Sequence, residues 1–211
     1  MTIRPTWDEY FMLQAKLAAS RSTCNSRPQG AVLVRDNRVL ATGYNGALPG
    51  QEHCLGQKTY CPECYGSKVT PNTKSFDGDF LGTAPCSICD GTGFIPYCHR
   101  RATNTPDGQK DRACRSSHAE ANAIAQAARM GIAVHGVTLY CTTRPCAVCM
   151  KLLCQAGVRQ IYYELDYDDP FDWPKDKFPM VSRLVIRPKI IELAKAMLDP
   201  DTSRRRLGRT E

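Results

Sequence analysis

The chain has 211 residues, 42% of them hydrophobic and 23% charged, with a net charge of +7. That length suits one domain with a real core and an inserted module, and no apolar run reaches the roughly 18 residues of a membrane helix. The opening Met1-Thr2-Ile3-Arg4-Pro5 lacks the apolar core of a signal peptide, so a cytoplasmic protein with no membrane partner is expected (host cytoplasm if the source is viral), and twelve cysteines then point to metal binding or free thiols over disulfides.

Thr6-Trp7-Asp8-Glu9 has the capping-box form, with Thr6 as N-cap and Glu9 three residues on. Tyr10, Phe11, Leu13, Leu17 and Ala18 follow as one helical stripe ending near Ser20. Gly30 to Val34 and Val39 to Gly43 are β-rich runs around Arg35-Asp36-Asn37-Arg38, which predicts a hairpin. From about Gly46 to Ser116 the chain loses periodicity and is rich in Gly, Pro and Cys. It is too long for a bare loop and needs another source of order.

An Ala-rich helix is predicted from about Ser117 to Met130, stopping at Gly131. Val137 to Cys141 reads as a strand, and Pro145 as the first residue of a helix reaching Gln155, with Gly157 beyond its end. Val158 to Glu164 is another strand and Ile190 to Leu198 a late helix. Cys141 and Cys154 are expected in the core. Strands alternating with helices imply an α/β sandwich that opens on a hairpin and continues through β-α-β units. The tail Ser203-Arg204-Arg205-Arg206-Leu207-Gly208-Arg209 concentrates positive charge. It reads as a solvated terminus or, alternatively, as a contact for phosphate or nucleic acid; no aromatic residues interleave it.

The chemistry lies in His118-Ala119-Glu120 and Pro145-Cys146-Ala147-Val148-Cys149. One imidazole and two thiolates are three zinc ligands, which leaves a fourth tetrahedral position for water. Zinc lowers the pKa of such a water from about 15.7 to roughly 7. Glu120, two residues from the ligand His118, is placed to move protons without binding metal. The order H-x-E…P-C-x-x-C is the signature of zinc nucleobase deaminases. His118 and Cys146 both fall at predicted helix N-termini, whose dipoles favour thiolate over thiol at Cys146 and Cys149.

Several segments together resemble the deoxycytidylate (dCMP) deaminases of the cytidine-deaminase-like superfamily. They are Arg21-Ser22-Thr23-Cys24, Gln29-Gly30-Ala31-Val32-Leu33-Val34, Ala41-Thr42-Gly43-Tyr44-Asn45-Gly46, His53-Cys54, His118 to Ile124, and the Cys146/Cys149 pair. The resemblance implies a cytidine-deaminase-like α/β/α sandwich with a mixed central sheet. The deaminase domain would span residues 1–170, interrupted by a zinc-ribbon-like insertion at 57–96 and followed by a C-terminal extension, 171–211. It implies hydrolytic deamination of dCMP to dUMP and ammonia, for thymidylate synthesis, with zinc-activated water attacking C4 and Glu120 shuttling the proton. For the substrate it implies Asn45 on the sugar hydroxyl, the Ala119 backbone on the base and Tyr167 near the nucleotide. Arg27 and Arg115 are candidates for the phosphate, which needs cationic or backbone donors; a solvated surface charge accounts for either equally. It further implies a homo-oligomer, a hexamer in many members, that dCTP activates and dTTP inhibits, with Mg2+ accompanying the effectors. Arg129 matches a regulatory, subunit-contact position, though a helix-end Arg also suits its own helix dipole.

Two copies of C-x-x-C-x-G, Cys61-Pro-Glu-Cys64-Tyr-Gly66 and Cys86-Ser-Ile-Cys89-Asp-Gly91, fit a closed structural zinc site. Cys24 and Cys54 match positions of a second structural zinc in some phage members, but Gly108 and Ser116 stand where the remaining ligands are found there. Cys98 or His99, with Cys114, would complete a third site; four ordinary thiols are the other reading. A polynucleotide deaminase gripping tRNA or DNA by the knuckle and tail is the alternative function. The Thr42-Gly43-Tyr44-Asn45-Gly46 segment and the lack of an aromatic-basic groove disfavour it, so a small nucleotide is the expected partner.

Overall fold

The computed structural model describes residues 4–71, 83–102, 105–106, 114–166 and 181–198. In chain order its main elements are α1 (Trp7–Ala19), β1 (Gly30–Arg35), β2 (Arg38–Tyr44), β3 (Lys58–Tyr60), β4 (Val69–Pro71), β5 (Thr83–Pro85), β6 (Phe94–Pro96), α2 (Ala119–Arg129), β7 (Thr138–Thr143), α3 (Ala147–Gln155), β8 (Gln160–Leu165), β9 (Val181–Arg183) and α4 (Pro188–Leu198). The chain forms two compact units, one of residues 1–22, 28–46 and 116–211, the other of 23–27 and 47–115.

The first unit is built on a five-stranded mixed sheet in the order β9-β8-β7-β1-β2. β1 runs antiparallel to β2 and β7, while β7, β8 and β9 are mutually parallel. The β1–β2 hairpin turns on Asp36 and Asn37, both in the left-handed region at φ 50° and 56°. A two-residue turn with both central residues there matches the twist of its strands. β1 is buried along Gly30–Val34 because both faces of the sheet are covered, so it reads as a continuous apolar run rather than an alternation. Ala31 and Leu33 join Ala119, Ala123, Ala127, Leu139, Met150 and Leu153 in one core beneath α2 and α3. Val32 and Val34 face the other way, to Phe11, Met12, Ala15, Tyr140, Ile186 and Ile190 beneath α1 and α4. The result is the expected α/β/α sandwich.

Two glycines set how closely the helices approach. A Cβ built on Gly30 would lie 2.0 Å from the Ala15 carbonyl oxygen and 2.5 Å from the Ala19 nitrogen. Gly43 meets Ala119 and Ala123 of α2 at the same two distances. Backbone therefore lies directly on backbone at both crossings, and Ala119, Ala123 and Ala127, spaced by four, keep that face of α2 thin.

The capping box forms as expected, Thr6 Oγ1 accepting from the Glu9 amide and the Glu9 carboxylate accepting from the Thr6 amide. The expected stripe of α1 is corrected: Tyr10 and Leu17 are 44% and 63% exposed, and the buried face is Phe11, Met12 and Ala15. Seating on Gly30 through Ala15 sets that rotation. Pro145 is not the first helical residue either, since Cys146 is the extended N-cap (φ −70°, ψ 168°) and α3 starts at Ala147. Cys141 is buried in the core as expected, but Cys154 is exposed: it stands four residues after the buried Met150, on the same side of α3, but in the last turn of the helix, which ends at Gln155. β9 carries no period the sequence could show, being three residues long.

The second unit contains two antiparallel pairs, β3 with β6 and β4 with β5. Its buried cluster consists of Cys61, Cys64, Cys86 and Cys89, with Ile95 packed against them. The sequence places an insertion at 57–96; the compact unit also takes in 23–27, 47–56 and 97–115.

Candidate active site

His118 and Cys146 are the N-cap residues of α2 and α3, both extended, and neither side chain caps its helix. Imidazole and thiol are thus turned away from their own helix ends, towards each other. Nδ1 of His118 lies 3.4 Å from Sγ of both Cys146 and Cys149, and the three ligand atoms are all within 4.8 Å of one another. Zinc bonds of about 2.1 Å to nitrogen and 2.3 Å to sulfur at a tetrahedral angle require an N···S separation of about 3.6 Å. The three donors fit a zinc ion.

Glu120 stands in the first turn of α2, only 8% exposed, with Oε2 3.7 Å from the Cys149 sulfur. Burial pushes its carboxyl above the usual carboxylate range, which suits a group that carries a proton. The Cys146 thiol is drawn below its usual range, chiefly by the hydrogen bond with Cys149 and then by His118, with burial opposing. Two helix N-termini at this spot add a field of the same sign, favouring thiolates.

Asn45 follows β2, is 7% exposed, and is held rigidly. Its Oδ1 accepts from Ser22 Oγ at 2.6 Å and from the Gln29 amide at 2.8 Å, while Ser22 Oγ also reaches the Asn45 carbonyl at 3.0 Å. Thr142 donates to Gln29 Oε1 at 2.8 Å and accepts from the Gly30 amide at 3.2 Å. On the neighbouring helix, Asn122 Nδ2 donates to the Tyr44 carbonyl at 2.8 Å. Ser22, Gln29, Asn122 and Thr142 are the supporting residues that sequence reasoning left without a role. Ser22, Gln29 and Asn122 stood in the quoted segments, but no spacing rule pairs positions 16 to 113 residues apart.

Ala119 is buried at the start of α2, against Gly43. Arg129 is exposed in the last turn of α2, and Arg27 and Arg115 are exposed residues of the second unit. Cys24, Cys54, Cys98 and Cys114 are half-buried; burial, and then the proximity of the other three, raises the Cys54 thiol above its usual range. Cys61, Cys64, Cys86 and Cys89 form a second group of mutually close ligand atoms. Tyr167 and the Arg204–Arg209 tail lie outside the described residues.

The family model described as "Cytidine and deoxycytidylate deaminase zinc-binding region" matches residues 5–165. The chain belongs to the cytidine and deoxycytidylate deaminase family. Among its relatives, the deoxycytidylate deaminase of Mycobacterium phage D29 is 33% identical over 165 residues, covering 76% of this chain and 95% of that protein. The deoxycytidylate deaminase of Schizosaccharomyces pombe is 35% identical over 165 residues, 78% of this chain and 39% of the relative. ComE operon protein 2 of Bacillus subtilis is 32% identical over 164 residues, 78% of this chain and 62% of the relative. The match thus spans less than two thirds of the length of the yeast and Bacillus relatives. The apo crystal structure of dCMP deaminase from cyanophage S-TIM5 superposes with a TM-score of 0.51 at 22% identity, covering 86% of this chain and all of that one. That likeness shows the shared fold. Among the described residues, no helix is long and apolar enough to cross a membrane.

Proposed function

We propose that the protein hydrolyses dCMP to dUMP and ammonia. The observation that carries this is the convergence of His118, Cys146 and Cys149 beside the buried carboxylate of Glu120. Membership of the deaminase family and the names of the yeast and phage relatives support dCMP as the substrate. His118, Cys146 and Cys149 would hold a zinc ion, which would supply a water acidic enough to act as nucleophile at neutral pH.

Glu120 takes one proton of the attacking water and delivers it to ring N3, then takes the remaining proton from the C4 hydroxyl and passes it to the amino group as the C4–N bond breaks and C4=O forms. Its raised proton affinity fits both transfers, and positioned proton transfer contributes about 10² to 10⁴ in rate. Asn45, its oxygen already engaged by Ser22 and Gln29, presents a fixed amide to the sugar. The Ala119 backbone reads the base. The product is the precursor of thymidylate, made in the cytoplasm. Assembly as a homo-oligomer under dCTP and dTTP control is part of the same proposal; sizing the protein with each nucleotide and Mg2+ tests it.

The deciding experiment follows ammonia release from dCMP, dCTP, deoxycytidine, a cytosine-containing oligonucleotide and an adenosine-containing tRNA, with Glu120→Ala as control. Selectivity for dCMP, lost in the variant, is the expected result. Turnover confined to the polymers would overturn it.

A further inference from the structure

Among its described residues the second unit has no hydrophobic centre beyond four cysteines and Ile95, and those cysteines are arranged as a repeat. Cys61 and Cys86 are 25 residues apart, as are Cys64 and Cys89. The same offset relates the left-handed residues and the hydroxyl hydrogen bonds of the two segments. Tyr65 and Asp90 have φ of 47° and 49°, Gly66 and Gly91 of 89° and 70°, Lys68 and Gly93 of 71° and 80°. Ser67 Oγ donates to the Cys64 and Val69 carbonyls at 2.7 and 2.9 Å; Thr92 Oγ1 donates to the Cys89 and Phe94 carbonyls at 2.7 and 2.9 Å. The two copies also hold each other: the Cys61 amide donates to the Gly93 carbonyl and the Cys86 amide to the Lys68 carbonyl, each at 2.9 Å. β3 and β5 enter the two knuckles, β4 and β6 leave them, and each entering strand pairs with the other copy's leaving strand.

This two-fold arrangement brings the sulfurs to one point. The Cys61–Cys86 and Cys64–Cys89 separations are both 3.7 Å, and all four sulfurs lie within 4.8 Å of one another. A tetrahedron with metal–sulfur bonds of about 2.3 Å has edges of about 3.8 Å, whereas a disulfide needs about 2.05 Å. Four thiolates sharing one ion also differ from a multi-iron cluster, whose cysteines sit on separate metals. The Gly93 amide donates to the Cys89 sulfur at 3.2 Å, the kind of partner a metal-bound thiolate takes. Left-handed residues after each second cysteine let the chain wrap the ion closely.

We propose that Cys61, Cys64, Cys86 and Cys89 bind one structural zinc ion, distinct from the catalytic one, which serves as the centre around which the described residues of this unit are ordered. With four protein ligands the site is closed, so its role is to order the two knuckles and the strands between them.

The test uses the full chain purified anaerobically. Zinc per chain is counted in the wild type and in the Cys61→Ser/Cys86→Ser double variant, and thiol alkylation is mapped residue by residue on the wild type before and after chelation. The variant should carry one zinc fewer than the wild type. In the unmutated chain the four thiols should be protected together, react together once zinc is removed, and regain protection when zinc is returned. Unchanged zinc content in a folded variant, or alkylation of these four residues that ignores the chelator, would overturn the proposal; so would iron in place of zinc. Because the alkylation map needs no variant, a misfolded double mutant leaves the test intact. Cys146 and Cys149 lie on their own peptides, so failure here is distinguishable from failure of the deaminase reading.

Discussion

Gly43→Ala is the sharpest test of how the fold positions the catalytic groups. The added methyl would sit 2.0 Å from the Ala119 carbonyl oxygen and 2.5 Å from the Ala123 nitrogen, where ordinary contacts begin at 3.4 Å. Both atoms are helix backbone, so no side chain can swing aside, and α2 must retreat by roughly 1 Å. That helix carries Glu120 and is capped by His118. Overpacking of this kind costs about 1–3 kcal/mol, and a misplacement of about 1 Å at the reacting centre costs about a hundredfold in rate. Gly30→Ala is the built-in comparison, because it makes a clash of the same size with α1, which carries none of the proposed catalytic residues. Both variants should lose similar stability in urea unfolding. Only Gly43→Ala should lose about a hundredfold in kcat per folded, zinc-loaded molecule. Equal kcat losses in the two, or a Gly43→Ala enzyme with wild-type rate and stability, would refute the reasoning.

Glu120→Gln should keep its zinc but lose about 10² to 10⁴ in kcat, read by steady-state kinetics beside metal analysis; retained activity removes Glu120 as the proton carrier. Ser22→Ala strips two hydrogen bonds from Asn45, so unfolding should show a loss of about 1–2 kcal/mol and kinetics a KM for dCMP that rises more than kcat falls. Glu9 is bound by Arg187 at 2.7 Å through both oxygens and by the Thr6 and Arg187 amides. The Arg187 guanidinium, helped by those amides and opposed by burial, lowers the Glu9 carboxyl from 4.5 to about 2. A folded-state pKa below the unfolded one stabilises above pH 4.5, and that contribution drains away as pH falls from 4.5 through about 2. The shift alone corresponds to about 3 kcal/mol, but the Arg187 side chain is 56% exposed, and screening by water reduces this to about 1–2 kcal/mol. Glu9→Gln should therefore flatten the stability profile across that window in acid unfolding; an unchanged slope would show that the pair contributes nothing.

The parts of the site legible in the sequence are those set by neighbours within a few positions. Thr6 and Glu9 close a capping box three residues apart, Asp36-Asn37 turns a hairpin, and His118 and Cys146 announce helix starts because the residues that follow them are helical. The candidate metal ligands were legible for a chemical reason: only a few residue types bind zinc, and His118, Cys146, Cys149 and the paired C-x-x-C segments are of those types at ligand spacing, and each set is brought together. What the sequence by itself determined is thus the chemistry available and the local elements that present it. Only the tertiary structure decided which faces those elements bury. α1 turns Phe11 and Ala15 inward, and not Tyr10 and Leu17, because its backbone rests on Gly30. Glu9 finds Arg187 across 178 positions, and Asn45 finds Ser22 and Gln29. Such contacts depend on how strands are ordered and how closely helices can lie on them, and a local period carries no record of either.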